Sequence, residues 1–205
     1  MKNLPVGIQS FTKLIDNNCI YVDKTKLLHQ LVTTGTTYFF SRPRRFGKSL
    51  LVSKLKELFK GNKTVFKDLW IENNWDWSKT HPIVHISFDA LDYQNQSLAV
   101  ALNQELAKCA KIYGIKLETK TFKQRFRELL ETLSAKHGRV VLLIDEYDKP
   151  ILDYLETSTV EQAKINRNTL RDFYAILKSA DEHLRFVFIT GISKFAKSFF
   201  VFTFE

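Results

Sequence analysis

One stretch of this chain limits the fold more than any other. Residues Val140-Val141-Leu142-Leu143-Ile144 form an unbroken apolar run, and two acids, Asp145 and Glu146, follow at once. A strand with one face in water would alternate polar with apolar residues. A continuous run of this length, rich in β-branched residues, reads instead as a strand buried on both faces of a parallel sheet. Such a strand needs helices packed on both of its sides, and the flanking sequence provides them.

Three further β-prone runs occur: Thr37-Tyr38-Phe39-Phe40-Ser41, Ile83-Val84-His85-Ile86-Ser87-Phe88 and Phe186-Val187-Phe188-Ile189-Thr190. Between them lie segments with apolar residues at helical spacing. Leu50, Leu51, Leu55, Leu58 and Phe59 mark one, with Gly61 as its stop. Residues 96–113 carry Leu98, Leu102, Leu106, Cys109 and Tyr113, closed by Gly114. A third helix starts near Thr121 with Phe122, Phe126, Leu129, Leu130 and Leu133, and ends before Gly138. A fourth covers roughly 161–180 and carries Ile165, Phe173, Ile176 and Leu177. Strands separated by helices imply right-handed crossovers, so the expected class is α/β, with a doubly wound, mainly parallel sheet. Residues 1–35 are expected to form an N-terminal extension packed on a core of 36–205.

Ligands of such sheets bind beyond the carboxyl ends of the strands. The first of these ends reads Ser41-Arg42-Pro43-Arg44-Arg45-Phe46-Gly47-Lys48-Ser49-Leu50. Gly47-Lys48-Ser49 closes the phosphate-loop pattern GxxxxGK[ST], between a strand and a helix as that motif requires. Gly47 permits the tight turn that converges backbone N–H groups on phosphate oxygens. Lys48 brings a charge to the outer phosphates, and the Ser49 hydroxyl is a Mg2+ ligand. The next helix turns its positive end on the same anion. One departure is plain: Arg42 stands where the first glycine is usual. The nucleotide-binding candidates are therefore Arg42, Pro43, Arg44, Arg45, Phe46, Gly47, Lys48, Ser49 and Leu50.

The apolar run ending in Asp145 and Glu146 has the Walker B form. Asp145 is the candidate metal ligand and Glu146 the residue that polarises the attacking water, with Lys48 as the second catalytic candidate. Acids after a strand often only cap the next helix; a phosphate loop on the same sheet favours the chemical reading. Thr190 and Ser193 stand where a polar group would meet the γ-phosphate or the water, or cap the turn at Gly191. Asp148 is expected to be solvated, to pair with Lys149, or to cap the segment from Pro150. Arg167, Arg171 and Arg185 are candidate charge-stabilising fingers, against the commoner role of solvated arginines. His29, His81, His85, His137 and His183 lack metal-ligand spacing and read as structural.

Composition narrows the function classes. Lys and Arg number 31 against 22 Asp and Glu, a net charge of +9 that suits an anionic partner. No run approaches the roughly 20 apolar residues of a membrane span, and the start has no signal-peptide pattern. Cys19 and Cys109 stand apart, as core thiols of a reducing compartment do. The expectation is a cytoplasmic protein.

Several segments, in order, resemble one family. They are Gly7-Ile8-Gln9-Ser10-Phe11, Tyr21-Val22-Asp23-Lys24-Thr25, Ser41 to Ser49, Ile144 to Pro150 and Thr190 to Phe195. The chain is similar, to about Phe195, to the bacterial AAA-ATPase-like family of P-loop ATPases, which shares the loop SRPRRFGKS, its arginine at the first position included, and the DEYD that follows the apolar strand. The resemblance implies a P-loop NTPase sheet and cofactors ATP and Mg2+. It gives Lys48 and Ser49 to the phosphates and metal, Asp145 to the metal and Glu146 to the water. It also implies a longer protein, often ending in a restriction-endonuclease-like nuclease domain that these residues do not supply. The alternative function is a nucleotide-gated module with little turnover, engaging nucleic acid or a protein partner through its basic surface. A nuclease within these residues lacks a second acidic cluster. Residues 199–204 favour β-structure and are expected as a fifth strand beside Tyr38 and Phe40, the alternative being the end of a truncated reading frame.

Overall fold

Parallel pairing on both edges of one central strand organises the molecule. The structure, a computed structural model, describes residues 2–156 and 158–193. The expected strand at 199–204 lies outside the described residues. Strands β1 (Thr37–Ser41), β2 (Ile83–Ser87), β3 (Val140–Asp145) and β4 (Leu184–Gly191) form one sheet in the order β1-β4-β3-β2. All three pairings are parallel. The helices are α1 (Phe11–Asp16), α2 (Thr25–Thr34), α3 (Lys48–Phe59), α4 (Leu98–Ile112), α5 (Phe122–His137), α6 (Lys149–Leu152) and α7 (Val160–Ser179).

Every residue of β3 is buried, and side-chain alternation divides it between two cores. Leu142 and Ile144 join Val84, Ile86, Val187 and Ile189 under α4, α5 and α7. Val141 and Leu143 join Ile83, Phe186 and Phe188 on the opposite face, against residues of α1, α2 and α3. The run is apolar throughout because both faces are covered, as the sequence implied.

The helices begin and end where local chemistry dictates. Ser97 and Thr121 cap α4 and α5 through their hydroxyls, which accept from Val100 N and Gln124 N. Gly138, at φ +83°, ends α5 in a conformation that disfavours a side chain. Differences from the sequence expectation are instructive. Ile165 is 51% exposed; the buried face of α7 instead runs through Ala163, Asn166, Leu170 and Phe173. Phe11, Leu28 and Val32 of the N-terminal helices enter the same core as Leu55 and Phe59 of α3. Phe11 is fully enclosed, with its ring 5.0 Å from Phe66 and 5.4 Å from Tyr21. Its backbone N–H donates to the Ser53 hydroxyl of α3 at 2.9 Å.

Phe11→Ala should therefore cost about 3–5 kcal/mol, the range for removing a buried aromatic ring, read as the shift of the urea midpoint. A loss under about 1 kcal/mol would mean that the first segment adds no core packing.

Candidate functional site

The carboxyl end of β1 turns directly into α3 through Arg42–Gly47. Gly47 is left-handed (φ 72°, ψ 22°) and offers the helix no capping side chain. The first turn of α3 contains no acid either. Its leading N–H groups and its dipole therefore face the loop without a compensating charge, which suits an anion. Arg45 also has positive φ, at 68°, a strained setting for a side-chain-bearing residue. Arg42 to Phe46 are exposed. Ser49 and Leu50, at the start of α3, are half-buried.

Lys48 is only 6% exposed. Its ammonium folds back across the loop and donates to the carbonyls of Arg42 and Pro43, both at 3.0 Å. An ammonium has three protons, so one remains for a third acceptor. The Arg42 guanidinium lies over the Phe40 ring, 5.2 Å from its centre, and donates to the Ser41 carbonyl at 2.9 Å. The loop thus holds two of its own cations in place.

Two strand spacings away, β3 delivers its acids. Asp145 is buried, and its Oδ1 accepts from the Thr190 hydroxyl and from Glu146 N at 3.1 Å. Among the described residues its other oxygen, Oδ2, accepts no hydrogen bond. Thr190 is fully buried at the end of β4, and its hydroxyl oxygen also lies 3.4 Å from Glu146 N. The Thr190 hydroxyl is therefore engaged by the two acids, and among the described residues it forms no bond to the turn at Gly191. Glu146 is half-buried with φ 53°, a strained turn that swings the chain out of β3. Burial, then the charges of Asp89 and Asp145, push its carboxyl above the ordinary glutamate range, while Lys149 and Lys48 oppose the shift.

Other expectations need correction. Asp148 is neither solvated nor a side-chain cap, and it does not bind Lys149. It is 1% exposed, and its Oδ2 accepts from Ile192 N at 2.9 Å and Ser193 N at 2.5 Å. Lys149 turns instead to Asp153 at 2.9 Å, with Asp89 at 3.8 Å. Arg185 begins β4, at the end remote from the acids. It donates to the Val32 carbonyl at 3.3 Å and lies over Phe59, so it is no finger for this site. Arg167 and Arg171 are exposed on α7. Sequence reasoning overlooked the bond between the Ser41 hydroxyl and the Ile192 carbonyl, at 2.8 Å. A serine closing a strand beside a loop was its only signal.

The model of the family AAA-ATPase_like, described as "Predicted AAA-ATPase", matches residues 5–200. A relative from Azotobacter chroococcum mcd 1, named "Uncharacterized protein in vnfD 5'region", is 44% identical over 204 residues. That match takes in 96% of this chain but 38% of the relative, so the chain spans well under half the length of the curated relative it matches. Among the described residues, no helix is long and apolar enough to cross a membrane.

The charge arrangement around Glu146 makes a prediction independent of turnover. NMR titration of the Glu146 carboxyl should give a midpoint above that of an ordinary glutamate. Replacing Asp89 with Asn removes a like charge and should move the midpoint down. An Asp89→Asn protein with an unmoved midpoint would mean that the two carboxylates do not share one field.

Proposed function

Because the chain belongs to the AAA-ATPase-like family, we propose that it binds ATP with Mg2+ at the carboxyl edge of its sheet and hydrolyses it to ADP and phosphate. One observation carries this reading. The phosphate loop and the acid pair end β1 and β3, and only β4 separates those strands. Two strand spacings are roughly 10 Å, room for a terminal phosphate and a hydrated cation between the Lys48 loop and Asp145. The uncapped start of α3 supports the same reading.

The donor set fits a magnesium nucleotide. Ser49 offers a hydroxyl, and Asp145 offers Oδ2, which accepts no hydrogen bond among the described residues. When bound, Mg2+ neutralises charge on the outer phosphates and holds them for in-line displacement. The remaining work falls to the protein. Lys48 exchanges its two loop carbonyls for phosphate oxygens, and the backbone from Arg42 to Leu50 lines the triphosphate. Arg42, Arg44 and Arg45 surround it with positive charge. Thr190 holds Asp145 by one oxygen and so orients the other. Glu146 accepts a proton from the water whose oxygen attacks the terminal phosphorus, as the bond to the bridging oxygen breaks. Its raised pKa brings it nearer the working pH, where a general base is most effective.

Three substitutions divide this labour. Lys48→Ala should weaken ATP binding at least tenfold, about 1.4 kcal/mol, because a poorly solvated charge contact is lost. Glu146→Gln should bind ATP normally and release almost no phosphate. Asp145→Asn should reduce the dependence of binding on Mg2+. Unchanged calorimetric affinity for Lys48→Ala would place the nucleotide elsewhere. Phosphate release with and without DNA or RNA separates an ATPase from a nucleotide-gated module: the ATPase turns over without nucleic acid, and the module does so in neither condition.

A further inference from the structure

The three residues after the body of β4 are held from both sides of the site. Toward the phosphate loop, their carbonyls accept: Gly191 O from Arg42 N at 3.2 Å, and Ile192 O from the Ser41 hydroxyl at 2.8 Å. Toward the acids, their N–H groups donate: Ile192 and Ser193 both converge on Oδ2 of Asp148. Tyr147 adds a hydroxyl beside Ser193, 3.1 Å from its Oγ and 3.2 Å from its carbonyl, and Tyr147 N donates to Thr190 O at 3.0 Å. Gly191 is packed so closely that a Cβ there would lie 2.3 Å from the Tyr147 ring and 2.9 Å from Asp148 Oδ1. No side chain other than hydrogen fits. The segment has little freedom to move independently of either loop.

Asp148 is unsuited to direct chemistry. Its side chain is enclosed, and one oxygen receives both backbone N–H groups in charge-assisted bonds. Its effect runs through the segment it grips. That segment continues from Thr190, whose hydroxyl sets Asp145, and it touches the loop that leads to Lys48.

We propose that Asp148 is a positioning residue that couples the phosphate loop to the acid pair through the Gly191–Ser193 segment. The proposal rests on the ATPase reading above. A nucleotide that draws the phosphate loop toward itself pulls on Ser41 and Arg42. Asp148 makes the segment pass that displacement to Thr190 and Asp145 instead of absorbing it. Loss of the grip lowers turnover more than it lowers affinity, because the phosphates still meet the same loop.

The test combines single and double variants of Asp148 and Ser41 in the full chain, with ATP affinity by calorimetry and steady-state phosphate release. Asp148→Ala should lower kcat by about tenfold or more while changing ATP affinity less than about threefold. Asp148→Asn retains an oxygen that can accept both N–H groups and should restore most of the rate; a metal- or water-binding role would leave Asn as inactive as Ala. Ser41→Ala removes the side-chain contact at the opposite end of the bridge and leaves the bond from Arg42 N to Gly191 O, so the double Ala variant should be no slower than Asp148→Ala alone. Effects that multiply, or an inactive Asn variant, overturn the coupling while the ATPase reading stands. Should the wild type bind ATP without turning it over, amide exchange takes over as the readout. Mg–ATP should then slow exchange at Ile192 and Ser193 in the wild type but not in Ser41→Ala, and equal exchange in both overturns the proposal. A wild type that binds no ATP removes the ATPase reading and the coupling together.

Discussion

Burial of β3 on both faces is the constraint from which the rest of the molecule follows. Its backbone pairs with β2 on one edge and β4 on the other, so neither edge can meet water. Its side chains divide between two cores, so both faces require helices. Parallel neighbours then send every connection back across the sheet. The carboxyl ends of all four strands collect along one edge. Asp145 can leave the apolar run only there, and there the Ser41–Ser49 loop ends its own strand.

That edge combines two opposite electrostatic fields. The phosphate-loop side is cationic and exposed, with Arg42, Arg44 and Arg45 around a buried Lys48. The β3 side is acidic, with Asp145 enclosed, Glu146 half-buried and Asp89 exposed. Cations alone would hold an anion, and acids alone would hold a metal. Side by side they suit an anion that carries its own metal, as a triphosphate does. The raised pKa of Glu146 is a product of the same crowding, since burial and two neighbouring carboxylates penalise its charge. The cations also bear on their neighbours beyond the site. Burial alone would raise the Asp153 carboxyl, but hydrogen bonds from Tyr93 and Lys149, with the charges of Lys149 and Arg44, hold it below its ordinary value.

Much of this was legible in the sequence, because the decisive signals are local. The run Val140–Ile144 announced a doubly buried strand, and Gly47-Lys48-Ser49 announced a tight turn from a strand into a helix. The stripes of α4 and α5 were read to within a few residues, since their Leu and Phe spacing matches the helical period. What escaped depends on tertiary contact. Nothing near Asp148 in sequence reveals that Ile192 and Ser193 return to it, so a buried acceptor looked like a solvated acid. Strand order was equally hidden, because β4 enters between β1 and β3 only once the chain has closed. Ile165 misled because an isoleucine on a helix suggests core, whereas α7 turns Asn166 inward to donate to the Pro150 carbonyl at 2.7 Å. Thr190 could be placed on the right edge but not assigned its partner, since its hydroxyl finds Asp145 across a strand interface.

The central claim is that the phosphate loop and the acid pair form one magnesium-nucleotide site. Its most direct test is calorimetric titration of the wild-type chain with ATP in the presence and absence of Mg2+. The account predicts saturable one-to-one binding that weakens at least about tenfold, roughly 1.4 kcal/mol, when the metal is withheld. Equal affinity under both conditions would contradict it, because the acids would then take no part in the site that holds the phosphates.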